Sequence, residues 1–278
     1  MLRSLLFTTA IVAATGAMAA DLDPSVLRGS YVPPPPAADV DWNGFYFGGF
    51  GGYTNGDFTL LEKTPALVGT LLRDTVIQNE FNVASLISRR KQDNSRTSFG
   101  GFMGYNWQED DIVFGIELDY TRVGLRATAA DAIGRQYTTS ELLLYNVGLN
   151  ASAETRLHDY GTLRARFGYV VGAFLPYVTA GIAVGRADRR SDAAVTLTWE
   201  EADPLRLTPP GIPRASGTFV DSLTRQNKNQ PVVGLAGGVG VDWMLFPGAL
   251  LRAEYQHIYF DEIRTTVSTG RVGLGVKF

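Results

Sequence analysis

From residue 112 to 120 the chain alternates without a break. Ile112, Phe114, Ile116, Leu118 and Tyr120 fall on one face of an extended strand, and Val113, Gly115, Glu117 and Asp119 fall on the other. Two carboxylates share the second face, and a soluble core could not bury them cheaply. The pattern returns with the opposite charge at 160–170, where Leu163, Ala165, Phe167 and Tyr169 oppose Thr162, Arg164, Arg166 and Gly168. Further runs at 42–53, 97–107, 174–186, 232–243, 250–259 and 271–278 bring the count of expected strands to eight. In each, one face is apolar or aromatic and the other is glycine, polar or charged, as in Leu251, Ala253, Tyr255 and Tyr259 against Arg252, Glu254 and Gln256.

The connections alternate as well. Turn-like segments at 108–111, 171–173 and around Pro247-Gly248 join strands two to three, four to five and six to seven. Longer, mostly polar stretches at 54–96, 126–159 and 187–228 join one to two, three to four and five to six; only the connection near 261–267 is short on that side. Short turns on one rim and long loops on the other are the layout of an outer-membrane barrel. In lipid every backbone N–H and C=O must be bonded internally, which a sheet achieves only by closing on itself. The expected fold is therefore all-β: an eight-stranded antiparallel transmembrane β-barrel with short periplasmic turns and three long extracellular loops.

Composition agrees. Glycine (31 of 278) and aromatics (11%) lean toward strands, no cysteine is present, and 25 basic residues nearly cancel 28 acidic ones for a net charge of −3. That balance gives no basic face for nucleic acid. Residues 1–19 have the form of a secretory signal peptide: Arg3, an apolar run from Leu5 to Ala14, and Ala17-Met18-Ala19 as a cleavage site. A leader at 20–41, with Pro33 to Pro36 in extended form, then precedes a barrel over 42–278.

Eight strands leave an interior just wide enough to fill with side chains. The inward charges (Glu117, Asp119, Arg164, Arg166, Arg252, Glu254 and Arg271) carry both signs, so the lumen is expected to be plugged by internal ion pairs, with a narrow channel as the alternative. Trp42, Tyr53, Trp107, Tyr120, Trp243 and Tyr259 lie near strand ends and suit the aromatic girdles at the membrane interfaces. His158 and His257 are the two histidines, one at a loop end and one on the lipid side of strand seven. Neither has a second ligand at metal spacing, and QHIYFDE around His257 holds no triad pattern, so no cofactor and no enzyme are expected. The cations at 89–91 and 188–190 read as solvated faces or as attractors of lipopolysaccharide phosphates or host glycans. The apolar stretch TPALVGTLL, 64–72, either folds over the lumen or extends a hairpin above the membrane.

The AMAAD signal end, the proline leader, the opening WNGFYFGGFGGY, the AEYQHIYF strand and the terminal VGLGVKF resemble the RopB-type surface barrels of rhizobia and Brucella, small porin-family proteins with an OmpA-like barrel. The resemblance covers strands one, six, seven and eight and none of the loops. It implies outer-membrane localisation among lipid and lipopolysaccharide, roles in envelope integrity and host-surface contact, and a terminal Phe278 read by the barrel assembly machinery. Haem binding, known for some members, maps onto no residue here.

Overall fold

The computed structural model describes residues 40–201 and 215–278; the expected signal peptide and most of the leader lie outside them. Eight strands form one closed antiparallel ring: β1 (Gly44–Leu60), β2 (Arg90–Glu109), β3 (Ile112–Thr138), β4 (Leu143–Tyr169), β5 (Phe174–Glu201), β6 (Ser216–Phe246), β7 (Ala249–Phe260) and β8 (Thr265–Lys277). Each strand pairs with its neighbour in sequence, and β1 pairs with β8 from Tyr46↔Lys277 to Phe58↔Thr265, which leaves no edge at membrane height.

Strand length separates two storeys. A tilted membrane strand needs roughly 9–11 residues. β7 and β8, at 12 and 13 residues, are about one bilayer's worth, whereas β3 to β6 run 27, 27, 28 and 31 residues. The β2–β3 ladder stops at Phe99↔Arg122, and β6 leaves β7 above Gly234. Beyond those points β3, β4, β5 and β6 continue as a four-stranded sheet for about 50 Å of strand above the ring.

The sense of the alternation reverses between the storeys. On β3 the outward side chains change from Ile116, Leu118 and Tyr120 to Arg122, Arg126 and Thr128, while the inward ones change from Glu117, Asp119 and Thr121 to Val123, Leu125 and Ala127. Lipid contacts the outer wall below this level and water contacts it above, so the burial of apolar groups switches faces. Irregularities in the ladders sit at this height on three strands: between Arg122 and Leu125, between Leu157 and Asp159, and between Ala187 and Arg189. Gly124, at φ +63°, takes the left-handed backbone position in the first of them.

The three long loops expected from the sequence are thus corrected. Residues 126–159 form a hairpin closed by four residues, 139–142, and the described part of 187–228 is almost all strand. Among the described residues, the long stretch outside the strands is the β1–β2 connection. It folds as α1 (Thr64–Leu71), started by Pro65 in its first turn, α2 (Val76–Phe81), whose Thr75 hydroxyl accepts from the Gln78 N–H, and a 3-10 turn, Val83–Leu86. Leu67, Val68, Leu72, Ile77, Val83 and Ile87 pack with the inner residues Leu125, Val147, Leu149, Val195 and Leu197 of the tall sheet. The apolar stretch at 64–72 therefore folds inward over the lumen.

Candidate functional site: a charged lumen between two apolar seals

Inside the lower storey, four arginines meet four carboxylates. Glu117 accepts from Arg164 Nη2 and Arg252 Nη1, each at 2.5 Å, and from the Tyr46 hydroxyl at 2.8 Å. Arg164 bridges onward to Asp119 at 2.9 Å and to Glu254. Arg271 reaches Glu254 at 2.9 Å and Asp119 at 3.4 Å. Asp242 binds Arg166 at 2.6 Å and takes Arg252 Nε and Nη2 on its two oxygens at 2.8 and 2.9 Å. All eight side chains are at most 1% exposed. The seven lumen residues expected from the sequence all lie in this network.

Aromatic rings hold the guanidinium planes. Arg166 stands 3.7 Å from the Tyr177 ring centre, Arg252 4.0 Å from Phe102, and Arg271 4.4 Å from Phe50. Tyr177 donates to Glu254 at 3.0 Å, and Thr179 and Thr162 serve Arg164 and Asp119. The sequence reading put Asp242 on the inward face of strand six without counting it among the lumen charges, and it missed Tyr46 and Tyr177. Asp242 sits on the glycine face of β6 and is inward by the same alternation that selects Glu117. Tyr46 and Tyr177 gave no such signal, because a tyrosine in a barrel strand belongs equally well to a girdle.

Both ends of this charged layer are closed. Toward the short turns, Trp42, Val113, Leu175 and Met244 form a buried apolar cluster. Trp42 is 1% exposed, so its expected place in an interface girdle is corrected: it precedes β1 and turns inward as a stopper, with its backbone N–H on the Gln108 side chain. Trp107, Tyr120, Trp243, Tyr259 and Tyr53 point outward, between 40% and 60% exposed. Toward the long-loop end come a polar layer of Thr54, Ser98, Thr269, Tyr160 and Gln256, then Phe58, Phe260 and the loop helices.

The remaining candidates are scattered. Phe278 is 70% exposed, with its N–H on the Phe45 carbonyl and its ring stacked on Phe47. His257 Nδ1 lies 3.0 Å from Ser268 Oγ on the outer wall, without a carboxylate on the ring among the described residues. His158 pairs with Asp188 at 2.8 Å. The Asn229 backbone N–H and then His158 hold the Asp188 carboxyl below the usual aspartate range. The cations at 89–91 and 188–190 are partly engaged: Arg89 with Glu62, Arg90 with Asp131 and Arg190 with Asp192.

The chain is similar to known outer-membrane proteins. The chain is 31% identical over 220 residues to the 31 kDa outer-membrane immunogenic protein of Brucella melitensis, covering 71% of this chain and 73% of that one. It is 29% identical over 160 residues to a 22 kDa outer membrane protein of Rhizobium leguminosarum, covering 56% and 51%. Among solved structures, Neisserial surface protein A aligns over 84% of this chain and 97% of its own at 13% identity and a TM-score of 0.33, and Ail of Yersinia pestis over 85% and 99% at 14% and 0.29. A family model matches residues 8–278, and the chain belongs to that family, the outer membrane protein beta-barrel domain.

Proposed function

We propose that the protein is a closed, non-conducting barrel that strengthens the outer membrane and carries a rigid extracellular sheet for surface contact. The observation that supports this most is the lumen. Four arginines and four carboxylates neutralise one another in a space that water does not reach, between the Trp42 stopper and the loop helices. An open ion path needs hydrated, weakly held charges that an ion can displace. Here each charge is held by two or more partners, or by one bidentate partner, which favours rigidity over conduction. The tall sheet and its docked first loop supply a surface for contact with a host or neighbouring cell, and the outward Phe278 is suited to recognition by the assembly machinery.

Planar-bilayer recording tests the reading. The wild-type protein is expected to give no steady single-channel current at physiological salt. A steady current that disappears on changing Arg164 or Arg252 would establish the narrow channel instead.

A further inference from the structure

The level at which the alternation reverses is also where the wall opens. The β2–β3 ladder ends at Phe99↔Arg122, and the three irregular positions of β3, β4 and β5 lie beside the gap. A recess of about 340 Å³ results, lined by Thr97, Phe99, Arg122, Arg156, His158, Asp159, Arg186 and Asn229 among others. Its cations are unequally engaged. Arg186 grips both oxygens of Asp159, and the oxygens of nearby Asp188 are taken by His158 and by the Asn229 N–H. Arg122 and Arg156 have no carboxylate within 4 Å among the described residues. Arg126, above Arg122 on β3 and directly across from Arg156, is instead paired with Glu154 at 2.8 Å.

We infer that this recess binds an anionic headgroup of an outer-leaflet glycolipid, with Arg122 and Arg156 on its phosphate oxygens and the molecule's acyl chains against the wall below. Position argues for a lipid over a dissolved anion. Beside and below Arg122 the wall is Phe99, its partner on β2, and Tyr120, with Val184 below Arg186 on β5, 63%, 49% and 49% exposed. A ligand with a charged head and apolar chains satisfies both zones at once, and its head enters at the hydrocarbon boundary, where a guanidinium fork is partly desolvated. With three arginines in the lining against Asp159 there and Asp188 beside it, across from Arg156, the recess keeps an excess of positive charge. The glycolipid bridges β3 and β4 on the rim where the β2–β3 seam has ended, and so closes the seam from outside.

Native mass spectrometry of the folded, full-length protein released from detergent tests this, with heat-modifiable mobility as the folding control. The probes are lipid A carrying two phosphates, the same lipid A stripped of phosphates, and inorganic phosphate. Wild type should retain the phosphorylated lipid A roughly tenfold or more over the stripped form, the scale of one charge-assisted hydrogen bond. R122A/R156A should lose that preference and R126A should keep it. If the alanine pair fails to fold, R122K/R156K serves, and it should bind more weakly than wild type because lysine lacks the fork. Equal retention of phosphorylated and stripped lipid, or unchanged retention by either double variant, overturns the site. Inorganic phosphate held as tightly as lipid A overturns the lipid as its occupant.

Discussion

Glu117→Gln should be among the most damaging single changes in the protein, although it alters only one atom. The carboxylate is fully buried and faces Arg164 and Arg252 at 2.5 Å and Arg166 at 3.8 Å. Removing its charge leaves four arginines against three carboxylates where water cannot compensate. Breaking one partner of a buried pair costs about 3–5 kcal/mol, which is roughly 10²- to 10⁴-fold in the folding equilibrium constant. Arg252→Met leaves the opposite excess and should cost a similar amount. The double variant restores neutrality, so its cost should fall below the sum of the two singles by more than about 2 kcal/mol, a coupling expected of residues in one ion network. Urea titration in lipid vesicles, read by the loss of the fast-migrating folded band, gives all three values. A cost below about 1 kcal/mol for Glu117→Gln, or simple additivity, would mean that the lumen is wet and the plug reasoning is wrong.

Val239→Arg, on the lipid-facing wall of β6, should destabilise folding into vesicles by about 2–4 kcal/mol while leaving expression intact, as measured by the same titration. Gly104→Val should cost about 1–3 kcal/mol, because a Cβ there would stand 2.5 Å from the Tyr46 hydroxyl and 2.6 Å from the Ile116 carbonyl. Leu72→Ala should loosen the first loop by about 2–5 kcal/mol, seen as faster proteolysis within 61–89 with the heat-modifiable barrel unchanged. Asp188 has a depressed carboxyl pKa, so its contribution to the β4–β5–β6 contact is present above the ordinary aspartate range and is lost only as pH falls through its lower folded value. Carbon-13 titration of that carboxyl should show a midpoint below a free aspartate, and an ordinary midpoint would remove the Asn229 N–H and His158 contacts.

The lower storey was legible because lipid enforces one rule on every strand: apolar out, anything compact or charged in. Glu117, Asp119, Arg164, Arg166, Arg252, Glu254 and Arg271 follow from that rule alone. The upper storey obeys the opposite rule and uses smaller residues, such as Ala127, Ala151, Ala153 and Ala193 inward against Asn150, Ser152 and Thr196 outward. Read against a lipid-facing template, such strands pass for polar loop. Trp42 was misplaced for a different reason. It stands two residues before β1 but in phase with the inward Tyr46 and Phe50, so the alternation carries its ring into the lumen, whereas an aromatic near a strand end reads as a girdle residue. The inward folding of 64–72 depends on contacts with β4, β5 and β6, which local pattern cannot supply.

The direct test of the central claim is quenching by bromine-bearing acyl chains of a fluorophore placed at single cysteines, which the cysteine-free chain permits. Labels at Ile116, Val239 and Leu274 should be strongly quenched. A label at Ser152, above the reversal level, should not be, and cysteines at Glu117 or Arg252 should resist water-soluble thiol reagents in the folded protein. Unquenched labels at Ile116 and Leu274, together with free labelling at Glu117, would contradict the arrangement of an oily exterior around a sealed charged lumen.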